Sequence, residues 1–217
     1  MSTGKIIKYR DTNFAVSTGY GSAVSITGIT NAVEAVVTST AHGLADLSVV
    51  RLAGVVGMDE LNGMLFAVDV LTANTFKLIG YNTLDSAAYA SGGTVEPVIF
   101  TSACELTSTS GSSGSTPETD DSTWCDAESK FSFGLPDPGS STFNYNYAET
   151  ATKDALEKSR TAVSMIAIRI GFKNYTHKLF EIGTITQTTS GVAKDGNWEG
   201  SATLRRRFSP IRVTPTV

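Results

Sequence analysis

The chain of 217 residues is 41% hydrophobic and 18% charged, with a net charge of −4, enough to bury a core as one large β domain or two small ones. No apolar run approaches the ~20 residues of a membrane-spanning helix, and the opening MSTGKIIKYRDTNF lacks the apolar stretch of a secretion signal. The expectation is a protein made in a cytoplasm, with no membrane partner. Threonine, serine and glycine are abundant while helix formers are sparse, which points to a mainly β fold.

In chain order, residues 1–21 read as a basic, partly extended leader. Residues 24–95 read as a compact all-β module. Val24 and Ile26, Val36–Val37, Val49–Leu52, Phe66 with Val68 and Val70, and Phe76 with Leu78 form short β runs broken by Asn, Gly and Asp turns. Pro97 to Phe100 brings the chain back to a main domain made of 1–23 and 96–217. The stretch 101–123 then reads as a long loop, with no core-forming residue from Thr107 to Thr123, expected to be flexible in the free monomer.

Phe131 to Tyr147 reads as an aromatic β-hairpin. Phe131, Phe133 and Leu135 alternate with Ser132 and Gly134, Pro136-Asp137-Pro138-Gly139 makes the turn, and Phe143, Tyr145 and Tyr147 resume the alternation. Phe131, Phe133, Phe143, Tyr145 and Tyr147 are therefore expected in packing. A short helix follows at about 150–161, capped by Thr150 or Thr152, with Asp154 in its first turn. Ser164–Phe172 is a strand with Ile166, Ile168, Ile170 and Phe172 inward and Met165, Ala167 and Arg169 outward. Leu179–Thr188 is another strand. Asn197–Phe208 is the last long one, with Arg206 on an otherwise apolar face, where it needs a partner or an exit from the core.

Catalytic chemistry finds little purchase. His42 and His177 have no metal-spaced neighbours, no phosphate-binding glycine loop occurs, and Gly111-Ser112-Ser113-Gly114 is not a nucleophile elbow. No enzyme, metal or cofactor is expected. Cys104 and Cys125 are expected as thiols. Arg205-Arg206-Arg207 is the one basic cluster, but alternate residues of a strand face opposite ways, which favours salt bridges over a nucleic-acid groove. Charge is unevenly placed: 101–129 holds six acids and no base, whereas 153–217 is net basic. Such asymmetry can guide one copy of a chain onto another, and solvated loops are the equal alternative.

Two resemblances organise these readings. Residues 128–217, running from the GLPDPGSSTFNYNY segment through a small helix to the strands 163–172, 179–189 and 197–208, resemble the C-terminal part of a bacteriophage major tail tube protein, and the preceding ELTSTSGSSGSTPETDDSTW resembles the long loop that family carries between two early strands. GKIIKYRDTNF and STGYG fit the opening arm of that family. Within 24–95, TSTAHGL, VVRLAGVVGMDELNG, FAVDVLTANTFKL and YASGGTV resemble the FCCH-like β module of ubiquitin-activating enzymes, which implies fold only. The first resemblance implies a β-sandwich or barrel core with one flanking helix, self-assembling into hexameric rings that stack into a tube for DNA ejection.

It implies as partners copies of itself, tape measure, tail terminator and baseplate proteins, a sheath if the tail contracts, and DNA that passes without specific binding. The location implied is a virion tail, assembled in the host bacterial cytoplasm. The inserted module is then expected on the tube exterior. Assembly contacts are expected from Ser108, Ser112, Glu118, Asp120, Asp121, Arg205 and Arg207. Ser108–Thr123 is expected to order only on stacking, and the lumen to be neutral or acidic. The alternative is a tail decoration, or a module that binds a host-surface glycan.

Overall fold

The fold is mainly antiparallel β strand with one α-helix, in a computed structural model that describes residues 11–214 apart from Ser113, Asn174, Ala193 and Asp195. Residues 1–10 of the expected leader lie outside the described residues. The chain opens with β1 (Thr12–Tyr20). Short strands follow: β2 (Val24–Ser25), β3 (Gly28–Ile29), β4 (Val36–Thr38), β5 (Val49–Val56), β6 (Leu65–Thr72) and β7 (Thr75–Leu78). The second half holds β8 (Ser91–Ser102), β9 (Leu106–Gly111), β10 (Glu118–Asp120), β11 (Phe131–Phe133), β12 (Ser140–Asn146), α1 (Ala151–Ala162), β13 (Met165–Phe172), β14 (Lys178–Val192), β15 (Trp198–Arg206) and β16 (Ile211–Val213).

The main sheet runs β9-β12-β15-β14-β13-β1-β8, and β8 carries it onward through β5, β6, β7 and β4 to β3. β1 and β8 are antiparallel neighbours, with Ala15 opposite Ser102 and Tyr20 opposite Val98. The all-β module therefore occupies the tip of a hairpin. Its boundary near residue 95 falls inside a continuous strand, whose first half pairs with β5 and whose second half pairs with β1. Pro97 sits where the partner changes, and its carbonyl accepts from Gly21 N at 2.7 Å. A Cβ on Gly21 would lie 2.8 Å from the Pro97 ring, so glycine permits the close approach.

Three apolar clusters account for the burial. The first belongs to the module and includes Val50, Leu52, Phe66, Val68, Phe76 and Leu78. The second lies on the face of the main sheet covered by α1, with Phe14, Val16, Leu156, Ile166, Ile168, Ile170 and Leu204. The third joins the two parts: Leu47, Val49, Leu65 and Ala67 of the module pack on Val98, Ala167, Phe180, Ile182 and Val213. β5 and β6 are thus buried on both faces, which is why VVRL and LFAV read as nearly continuous apolar runs rather than alternating ones. Outside this shared core, Arg51 stacks over the Tyr20 ring at 3.9 Å and pairs with Glu96 through Nε at 2.7 Å.

β13 corrects one expectation. Ile166, Ile168 and Ile170 point into the α1 side, but the face read as outward is covered too: Ala167 is fully buried and Met165 packs against the module. α1 lies within a residue of its expected span. The Thr150 side chain caps it by accepting from Lys153 N, and its buried stripe is Thr152, Lys153, Leu156 and Ser159. Ala151, at the start of the helix, is exposed.

The hairpin expected over Phe131–Tyr147 does not form. β11 pairs with β10, whereas β12 lies between β15 and β9. The loop expected over 101–123 is likewise interrupted by strand: β8 extends to Ser102, Leu106–Gly111 is the edge strand β9, and Glu118–Asp120 is β10.

Candidate assembly surface

Between Ser112 and Pro138 the chain leaves the main sheet and returns beside the point of departure. Within this arm β10 and β11 form a separate two-stranded ribbon, with Glu118 opposite Phe133 and Asp120 opposite Phe131. Asp121 N donates to Lys130 O at 2.9 Å beyond the strands, and Lys130 N to Ser122 Oγ at 2.9 Å. The tip is a local turn in which Thr123 N and Oγ1 both donate to Asp126 Oδ2 at 2.8 Å. Lys130 also pairs with Asp126.

The arm is unusual in what it exposes. Trp124 is fully exposed, Phe131 is 51% exposed, Phe133 69% and Leu135 89%. Phe131, Phe133 and Leu135 keep the alternation of one strand face, but that face has no cover. This corrects the packing role expected of Phe131 and Phe133. The period-two pattern identified a strand, and burial depends on what lies against it. Around these side chains stand Glu118, Asp120 and Asp121, all exposed. A two-stranded ribbon is marginally stable by itself in water, and large exposed apolar side chains rimmed by charge mark interaction surfaces.

Three carboxylates of the arm titrate below the ordinary range. The Ser122 hydroxyl and backbone N–H hold Asp120 down. Lys130 and the Thr123 donors do the same for Asp126. For Asp137 the main cause is the Gly139 N–H, helped by Arg205. Each donor favours the ionised form, so the arm keeps its negative charge wherever a typical carboxylate would.

The other expected assembly residues are distributed. Ser112 lies at the base of the arm, where its N–H donates to Ser140 O at 2.9 Å. Arg205 is at the same base and pairs with Asp137 at 2.9 Å. Ser108 lies on β9, accepting from Asn144 Nδ2 at 2.9 Å. Arg207 is exposed past the end of β15, near Tyr81, whose hydroxyl pKa is raised by burial and by Glu60 with the Arg207 charge opposing. Arg205 and Arg207 thus serve different neighbourhoods.

Phe143 and Tyr145 are buried in the cluster under α1, and Tyr147 packs against it. The Tyr147 hydroxyl accepts from Lys153 Nζ at 2.9 Å, and its ring stands edge-on to Trp198. That hydroxyl, with the Glu149 carboxylate, raises the Lys153 pKa above the ordinary lysine value. His42 has a structural place: Nε2 donates to Thr72 O at 3.0 Å, Nδ1 accepts from Leu44 N, and the ring packs on Phe76. Cys104 and Cys125 are both free and exposed.

Trp124 carries no expectation from the sequence, and Leu135 only that of sharing a strand face with Phe131 and Phe133. The signal available was their setting, since bulky apolar residues embedded in Ser, Thr, Gly and acid composition have few apolar neighbours to bury against.

Residues 30–99 match the family described as the ubiquitin-activating enzyme E1 FCCH domain, about a third of the chain. That span contains most of the module and the first nine residues of its shared strand β8. Comparison with curated proteins finds no match.

Proposed function

We propose that the chain is a structural subunit that assembles with copies of itself, in the manner of a phage tail tube protein, into stacked rings forming a conduit for DNA. The observation that carries this reading is the arm, with Trp124, Phe131, Phe133 and Leu135 exposed on an acidic ribbon whose strands, among the described residues, pair with each other and not with the main sheet. Covering such a ribbon with another copy would bury its apolar face and supply the strand neighbours it lacks. The net basic C-terminal third offers the opposite charge.

β9 adds a second opportunity, being the end strand of the main sheet and open to edge pairing. Because Ser108–Gly111 already pair with β12 and Glu118–Asp120 with β11 in the single chain, stacking is left to fix the position of the ribbon rather than to order all of 108–123. The module packs on one face of the main sheet, and an exterior position leaves a bore open.

Electron microscopy of the purified protein at high concentration tests the proposal. Long hollow tubes are expected, and particles that stay monomeric at every concentration overturn it. Monomers or trimers that bind host cells would instead favour the decoration reading. Within the proposal, Phe131→Ser combined with Phe133→Ser should reduce the assembled fraction by about tenfold or more, the scale of a lost apolar anchor. Its unfolding midpoint should stay unchanged, because neither side chain belongs to the three cores.

A further inference from the structure

Arg206 is the last residue of β15 and faces the interior with 8% of its surface exposed. Its Nη2 donates to Glu181 Oε1 at 3.2 Å and to the Ser141 hydroxyl, and Glu181 is itself buried. Glu181 Oε2 and Arg206 Nε have no hydrogen-bond partner among the described residues. A buried ion pair satisfied this incompletely is a poor source of stability, because desolvation cancels most of the attraction. Its placement calls for another reason.

The other end of the guanidinium supplies one. Nη1 donates to the Ser112 carbonyl at 2.9 Å and to the Pro138 carbonyl at 3.2 Å. These two residues are where the arm leaves the sheet and where it comes back. One planar fork of donors therefore holds both legs of the arm together at its base. Gly111 leaves room for it, since a Cβ there would lie 2.7 Å from Nη2. The legs are also joined by backbone, Asp137 N donating to Ser115 O and Gly134 N to Pro117 O, both at 2.8 Å, and at the base by Arg205 with Asp137 and the Ser112–Ser140 contacts.

We infer that Arg206, held by Glu181, is a positioning residue that sets the direction of the arm and so makes it competent for docking onto another copy. The docking half of this inference rests on the self-assembly proposed above, whereas the clamp stands on the geometry of the single chain. A lysine cannot reproduce it, because a single ammonium cannot present a planar fork to both carbonyls and the carboxylate.

The test uses the full chain with Arg206→Lys, and with Arg206→Met combined with Glu181→Leu, which replaces the pair by apolar volume should the lysine variant fold poorly. Chymotrypsin cleavage at Trp124, Phe131 and Phe133 in the unassembled protein reports arm opening. Thermal unfolding reports the fold, and microscopy reports tubes. In whichever variant keeps its unfolding transition, cleavage should rise by about tenfold or more, the factor one lost charge-assisted hydrogen bond corresponds to. Tube yield should fall in parallel. Arg205→Ala, which breaks only the exposed pair, should change cleavage by less than about twofold.

Cleavage at the wild-type rate in a folded Arg206 variant overturns the clamp, as does an equal effect of Arg205→Ala. A loosened arm with tubes formed at the wild-type yield overturns its role in docking. Absence of tubes from the wild-type chain sinks the assembly reading and the docking half with it, while the cleavage rates still decide the clamp.

Discussion

At the scale of single residues, Tyr145 and Gly200 show how one side chain dictates another. The two face each other across β12 and β15, and Tyr145 is 4% exposed. A Cβ on Gly200 would lie 2.5 Å from the Tyr145 ring, so the glycine is the space the ring occupies. Gly200→Ala should lower the unfolding free energy by about 1–3 kcal/mol, the usual cost of overpacking. Gly191→Ala serves as the control, since nothing lies within 4 Å of its Cβ position, and it should stay within about 0.5 kcal/mol of wild type. Urea titrations of the two variants decide, and equal losses would contradict this packing. Phe133 and Phe143 make the same point from the other side. Both sit in alternating aromatic runs, yet Phe133 is 69% and Phe143 2% exposed. Alternation tells that a residue shares a face with its second neighbour, and the burial of that face is decided by chain far away in sequence.

At the scale of elements, the arm is the part whose local structure depends most on ionised carboxylates. Asp120, Asp126 and Asp137 each have a folded-state pKa below the unfolded one. Their contribution is therefore present above the unfolded carboxylate value, about 4, and is lost as pH falls through the depressed folded values. Amide-exchange protection over 120–137, corrected for intrinsic rates, should decline as pH drops below about 4, while β13 and β14 keep theirs. Protection that is flat down to pH 2 would show that these hydrogen bonds do not order the arm. The turn Pro136-Asp137-Pro138-Gly139 was legible as a turn. That it closes the base of an arm, rather than a hairpin, was not. Its flanking strands choose their partners by long-range register: β12 takes β15 and β9, which leaves β11 to pair with β10. The helix was legible to within a residue because its signals are local, a Thr150 cap and an acid in the first turn.

At the scale of the whole molecule, the module and the main sheet share a core. Phe180 is fully buried at their junction, beside Ala67, Val49 and Ile182. Phe180→Ala should cost about 3–5 kcal/mol and lower the melting of module and main sheet together. Calorimetry should show one transition, shifted as a whole, with calorimetric and van't Hoff enthalpies in agreement. Two transitions, of which only one moves, would mean that the module folds independently. A joint transition also bears on the proposed assembly, because a module seated on the sheet by a shared core would present a fixed outline to another copy, unlike one hung on a linker.

From its sequence alone this protein is determined to be mainly β with one short helix, with a recognisable β module that a family model matches over residues 30–99 and a long polar, acidic excursion after it. These properties follow from backbone periodicity, capping and composition, which are written in neighbouring residues. Tertiary structure alone decided that β8 serves both parts, that the second face of β13 is covered by the module, that Phe131, Phe133 and Leu135 lie bare, and that Arg206 meets Glu181 and both legs of the arm. Each of those outcomes depends on pairings between segments tens of residues apart, and a period-two pattern names the two faces of a strand without naming what comes to cover them.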